Sequence, residues 1–297
     1  MFSRILVPLD GTPQSNAALP LADTMARATG AAITLVRVVT ESLLPDAGAA
    51  AIAAKHDLER VGSGFAGQSV RVSCVVREGE VAPQILEQVH AQAADLIVMR
   101  THGRAGLERA ILGSVTESVL AATQVPVLLL RPGGRLISHL QTLLVPIDGS
   151  PGGAVALGTA VGLARATGAA LELLEVAVPI PLYAYVGYEY GGIGEIDPAW
   201  DEEALASAHD YVKKIVTRLR AAGITVNGDA RMQPAIAEAI VARAEETSAD
   251  LIVMSTGALT GAARALLGSV ADAVVRTSLC PVLLLHRAEI DRQTSGA

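Results

Sequence analysis

Aromatic residues are nearly missing from this chain: two Phe, five Tyr and one Trp make up 3% of 297 residues, against 51% hydrophobic residues in all. Its cores must then be built from Ala, Val, Leu and Ile, the mixture that fills strands buried on both faces of a parallel sheet. Cysteine is as scarce. Cys74 and Cys280 stand at non-equivalent places and outside any CxxC or Cys/His cluster, which favours buried, reduced thiols acting as small apolar side chains. Cations are outnumbered, 23 Lys and Arg against 30 Asp and Glu, for a net charge of −7. Phosphate backbones need clustered cations, so nucleic acid is disfavoured as a partner. The first apolar run, from Ile5, meets Pro8 and Asp10 too early for a signal peptide or a membrane span. A cytoplasmic protein with no membrane partner is expected. HExxH, DxDxDG and GxSxG are absent as well, so neither a metal site nor a catalytic residue is advertised.

What the chain has instead is two copies of one pattern. Asp10-Gly11-Thr12-Pro13 recurs 138 residues later as Asp148-Gly149-Ser150-Pro151, and Ala28-Thr29-Gly30 recurs as Ala166-Thr167-Gly168. Further on the offset becomes 155: Ala94-Asp95-Leu96-Ile97-Val98-Met99 matches Ala249 to Met254, and Leu112-Gly113-Ser114-Val115 matches Leu267 to Val270. The second copy has therefore gained 17 residues between Val176 and Asp250. Most of them belong to Pro179–Trp200, which holds Tyr183, Tyr185, Tyr188 and Tyr190 and reads as an ordered lid or contact surface. The reading is one domain over 1–132, a linker over 133–139 marked by Pro132-Gly133-Gly134, a second domain over 140–288, and a tail over 289–297.

Short aliphatic runs at Ile5–Leu9, Ile33–Val39, Val70–Val76, Leu96–Met99 and Val127–Leu130 predict strands, with helical stretches between them. Thr12-Pro13 and Ser150-Pro151 put a capping hydroxyl before a proline at the first helical position. Strand alternating with helix predicts an α/β fold: two tandem, open, five-stranded parallel sheets, doubly wound and Rossmann-like. Pro126 and Pro281 open the last strand of each copy, where a missing N–H is tolerated.

In such sheets ligands bind beyond the carboxyl ends of the strands, where strand order reverses. Asp10 and Asp148 end the first strands. Each either accepts hydrogen bonds from a ligand or satisfies its own turn before a glycine. After Met99 the chain runs Arg100-Thr101-His102-Gly103 and reaches Gly113-Ser114-Val115-Thr116 before a helix. That arrangement suits a phosphate, because glycines allow close backbone approach and a helix start offers free N–H groups. It is not a P-loop, since no lysine stands where one is needed. His102 reads as a loop histidine with a local role, for Gly257 replaces it in the second copy.

The Ile-Leu-Val-Pro-Leu-Asp-Gly start, Val-Met-x-Thr-His-Gly-Arg, Leu-Gly-Ser-Val and the final Pro-Val-Leu-Leu-Leu together resemble the universal stress protein family, twice over nearly the whole chain. ATP-binding members carry G-x2-G-x9-G-[ST]. Here Gly103, nine spacers and Gly113-Ser114 fit, while Arg100 replaces the first glycine, where it either obstructs a phosphate, pairs with it or points to solvent. The second copy has Ser255 and Ala258 in place of both leading glycines, followed by Gly268-Ser269. The resemblance implies an adenine-nucleotide site, for ATP or a relative with Mg²⁺ as its companion, formed by Pro8, Leu9, Asp10, Val38, Met99, Arg100, Gly103, Gly113, Ser114, Val115 and Thr116. A weaker second site would comprise Pro146, Ile147, Asp148, Val176, Met254, Ser255, Ala258, Gly268, Ser269 and Val270. It implies a stress-response regulator or protectant rather than an enzyme, and an intrachain pseudo-dimer through the last strands, with homodimers and an unidentified protein partner open. The alternatives are a nucleotide-free interaction module of the same family and, more remotely, a slow ATPase.

Overall fold

The computed structural model describes residues 1–40, 47–65, 70–101, 112–179, 199–256 and 268–286. In the first half these form β1 (Arg4–Pro8), α1 (Pro13–Asn16), α2 (Leu19–Thr29), β2 (Ala32–Val39), α3 (Ala47–Phe65), β3 (Val72–Glu78), α4 (Val81–Ala91), β4 (Leu96–Arg100), α5 (Ser114–Ala122) and β5 (Val127–Leu130). The second half repeats the order as β6 (Thr142–Pro146), α6 (Pro151–Thr167), β7 (Ala170–Ala177), α7 (Ala199–Ala221), β8 (Val226–Met232), α8 (Ile236–Glu246), β9 (Leu251–Ser255), α9 (Ser269–Thr277) and β10 (Val282–Leu285). Five strands per half stand where the aliphatic runs predict them, with ends shifted by one or two residues. Most of the extra length falls between β7 and α7, residues 178–198, against residues 40–46 between β2 and α3. The tyrosines from Tyr183 to Tyr190 lie outside the described residues.

The hydroxyl–proline starts behave as the sequence predicts. Thr12 accepts from the Ser15 N–H at 3.2 Å, and Ser150 accepts from the Gly153 N–H at 3.1 Å. The helices that follow differ: α6 is continuous, whereas its counterpart breaks between α1 and α2. Pro20 accounts for the break, because it has no N–H to give the Asn16 carbonyl and its ring would crowd that oxygen. Gly158 stands in the same place inside α6.

All ten strands share one sheet in the order β3-β2-β1-β4-β5-β10-β9-β6-β7-β8. Pairing is parallel within each half and antiparallel only at β5–β10, where Leu128 faces Leu283 between Val127↔Leu284 and Leu129↔Val282. Both four-residue strands are Val-Leu-Leu-Leu and wholly buried, so their joining hides two sheet edges at once. Pro126 and Pro281 just precede them and lend only carbonyls, to the Ile97 and Ile252 N–H groups at 2.9 Å. One apolar layer, with Met25, Leu58, Leu163 and Ile215, packs α2, α3, α6 and α7 on one sheet face. The other, with Ile85, Val119, Ile240 and Val274, packs α4, α5, α8 and α9 on the opposite face. Both layers run through both halves.

The connection after β5 is anchored. Ile137 and Leu140 are buried, Arg135 donates to the Ser248 and Ala249 carbonyls at 3.0 Å, and Arg131 donates to the Thr277 carbonyl at 2.8 Å.

Candidate functional site

Strand order reverses between β1 and β4 in the first half and between β6 and β9 in the second. The crevice beyond those carboxyl ends is where this fold places a ligand. Pro8 ends β1, with buried Leu9 and exposed Asp10 following; Met99 and Arg100 end β4, and Val38 lies near the end of β2. Val38, Met99 and Val115 belong to the same apolar layer as α5, so the floor of the crevice on that face is aliphatic. Gly113 caps α5 with extended backbone, and Ser114, Val115 and Thr116 form its first turn. The second half sets Pro146, Ile147, Asp148, Val176, Met254, Ser255, Gly268, Ser269 and Val270 in matching positions. Gly103, His102 and Ala258 lie outside the described residues.

Two helix starts meet each crevice, and they differ. At α1 and α6 the Thr12 and Ser150 hydroxyls each take one first-turn N–H, and each residue is tied to the strand end: Asp10 Oδ1 accepts from the Thr12 N–H at 2.8 Å and its hydroxyl at 2.6 Å, while Asp148 Oδ1 accepts from the Ser150 N–H at 3.0 Å. One oxygen of each aspartate thus serves its own turn. At α5 and α9 the cap residue is a glycine, and among the described residues no side chain caps the first turn. Those N–H groups, at the positive end of each helix, are what the fold offers to an anion.

Arg100 turns away from α5. It shares the sheet face of Val98, two residues before it, and its Nη1 donates to the Gln14 carbonyl of α1 at 2.8 Å. The guanidinium therefore braces the end of α1 instead of filling the approach to Gly113. Arg37, which the motifs did not single out, stands on β2 one residue before Val38, and a β-carbon on Gly11 would overlap its guanidinium. The second half has Glu175 in its place. Burial first and Asp148 second hold the Glu175 carboxyl above its ordinary pKa, and its Oε2 is buried without a hydrogen-bond partner among the described residues. Tyr211 of α7 sits beside the same turn and is pushed up by burial, Glu175 and Asp148. The repeat alignment pairs Arg37 with Glu175, but only the fold reveals that both stand beside the glycine turn that borders the crevice, on the sheet face opposite Val38 and Val176.

Asp95 and Asp250, prominent in the repeats, belong to the opposite end of the sheet. Asp95 accepts from the Ser3 and Arg4 N–H groups and Asp250 from those of Gln141 and Thr142, at 2.7–3.0 Å, pinning the starts of β1 and β6. Cys74 and Cys280 are free thiols, and burial pushes Cys280 up to about 12. Among the described residues no three His, Cys, Asp or Glu side chains gather closely enough to hold a metal, and no helix is long and apolar enough to cross a membrane.

Two doubly wound parallel sheets in tandem, sealed at their last strands, define a Rossmann-like α/β protein built by duplication. The universal stress protein family model matches residues 1–131 and again 139–286, and the chain belongs to that family. A universal stress protein of Mycolicibacterium smegmatis is 26% identical over 302 residues, covering 95% of this chain and 96% of that one. One from Methanocaldococcus jannaschii is 31% identical over 141 residues, covering 44% of this chain and 83% of that one. Among solved structures, a universal stress protein from Archaeoglobus fulgidus superimposes with a TM-score of 0.73 at 22% identity, covering 96% of this chain and 98% of that one, which establishes the likeness of fold.

Proposed function

We propose that this protein binds ATP or a related adenine nucleotide in its first half and acts in the stress response through the occupancy of that site, without catalysis. Family membership supports the stress-response role. The nucleotide reading rests chiefly on one observation: α5 opens without a side-chain cap, behind Gly113, at the strand-order reversal and on the same face as Val38 and Met99. An aliphatic floor beside helix-start N–H groups that no described side chain caps suits a flat base joined to phosphates. Val38 and Met99 would flank the base, and the Ser114–Thr116 N–H groups with the Ser114 hydroxyl would hold phosphate. Mg²⁺, where it takes part, would arrive with the phosphates. Hydrolysis is expected to be slow, for no base or carboxylate pair can be assigned to activate water.

The test is the adenine nucleotide released per chain on denaturing the purified protein, with calorimetry on the stripped protein. About one nucleotide per chain, lost in Gly113→Ala and retained in Gly268→Ala, is the expected result. No nucleotide at purification and no binding at millimolar ATP would transfer the case to the nucleotide-free interaction module.

A further inference from the structure

The strand ends that border the two crevices differ in charge. At the ends of the first, second and fourth strands the first half carries Asp10, Arg37 and Arg100; the second half carries Asp148, Glu175 and Ser255 at the equivalent positions. In sequence the spacers between the glycine motifs carry the same net charge, one positive, from Arg104, Glu108 and Arg109 in one half and Arg264 in the other. The backbones of the helix starts do not differ much either, because Gly113 and Gly268 cap α5 and α9 with similar angles, φ −66° and ψ 148° against φ −55° and ψ 149°. The contrast therefore lies in the strand ends, and the position that reverses sign outright is 37 against 175. At both places the side chain stands beside the glycine turn: Arg37 over Gly11, and Glu175 in the field of Asp148, with Tyr211 against Gly149. Arg218, also on α7, is a cation whose charge reaches Tyr211.

We propose that the residue at this place on the second strand selects which half accepts a polyphosphate: Arg37 draws the anionic ligand to the first crevice, and Glu175 bars it from the second. This rests on the nucleotide reading of the site and adds the charge rule that divides the halves. The mechanism is the summed field in a partly desolvated cleft, which acts on charge and leaves a neutral ligand of the same shape almost untouched.

Full-length protein, stripped of nucleotide, is titrated with ATP and with adenosine at low and physiological salt, as wild type and as Arg37→Glu, Arg37→Gln, Glu175→Arg and Glu175→Gln. Reversing one charge against a triphosphate, across a screened crevice, should change ATP affinity by about tenfold. Arg37→Glu is expected to weaken ATP by that factor, with adenosine changed less than about threefold, and Arg37→Gln to fall between. Glu175→Arg is expected to raise ATP from one to two per chain, and Glu175→Gln to strengthen the second site partially without an added cation that must fit. Equal losses for ATP and adenosine in the Arg37 variants, or one ATP per chain in both folded Glu175 variants, would overturn the charge rule while leaving the nucleotide reading intact. No ATP bound by the wild type or any variant overturns both.

Discussion

The Arg37 guanidinium fills the space that a β-carbon on Gly11 would need, whereas at the equivalent Gly149 the nearest neighbour to such a carbon is the Tyr211 ring at 3.9 Å. Both glycines have left-handed backbone, with φ of +84° and +72°. Alanine at either place costs about 1–2 kcal/mol in backbone strain. Gly11→Ala must also displace Arg37, so chemical denaturation should find it the more destabilising by about 1 kcal/mol. Adding Arg37→Ala should bring its cost down to that of Gly149→Ala. Equal costs for the two single variants would mean that Arg37 swings aside freely.

Glu175 gives the protein a pH signature. Its folded pKa lies above the ordinary carboxylate value because of burial and the Asp148 charge. A raised folded pKa contributes stability that is full below the unfolded value and lost as pH rises through the folded one. Glu175→Gln removes that loss, so the variant should match the wild type near pH 4 and exceed its melting temperature near pH 7. A difference that stays constant across that range would show that the carboxyl does not titrate as its surroundings dictate.

His286 works in the opposite direction. Burial lowers it from 6.5 to about 4, and its Nε2 is buried with no partner among the described residues. A depressed pKa contributes stability that is full above 6.5 and lost as pH falls toward the folded value, here on the order of 3 kcal/mol by pH 4. His286→Gln should flatten the acid limb of the stability curve between pH 6.5 and 4. An unchanged limb would place the acid sensitivity elsewhere.

The elements legible in the sequence were those written in local chemistry. The aliphatic runs, the Thr12-Pro13 and Ser150-Pro151 starts and the repeated motifs each mark their element without knowledge of its neighbours. The seam at β5–β10 was implied by the family resemblance and not by the strands themselves, because an aliphatic run marks a buried strand without saying which strand lies beside it. What the sequence withheld depends on which way a side chain turns. Arg100, for which obstructing a phosphate, pairing with it and pointing to solvent were all open, turns to the Gln14 carbonyl. Arg37 carries no motif and stands at the crevice only because β2 lies beside β1 in register, with Pro8 opposite Val36. The break after α1 was missed because Pro20 follows a helix start by only a few residues and looks, in one dimension, like another.

The duplication also supplies an internal control for a buried ion pair. On β7, Glu172 is 7% exposed; it accepts from Asn227 at 2.8 Å and from Arg243 of α8 at 3.0 Å. The first half has Thr34, Ser73 and Gln88 at these places: the Thr34 and Ser73 hydroxyls meet at 3.1 Å, and Gln88, wholly buried, accepts from Arg77 at 2.7 Å in the amide orientation that satisfies it. One fold thus tolerates either a charged or a neutral set here. Breaking only half of the charged set is another matter, because it strands a carboxylate out of water. Arg243→Gln alone should cost about 3 kcal/mol. Adding Glu172→Thr, which puts the first half's neutral residues at both places, should recover most of that loss, since removing both charges also removes both desolvation penalties. Urea denaturation of the two single variants and the double one closes the cycle. A double variant as unstable as the sum of the singles would mean that Glu172 and Arg243 stabilise the second half independently, through packing, and not as a pair.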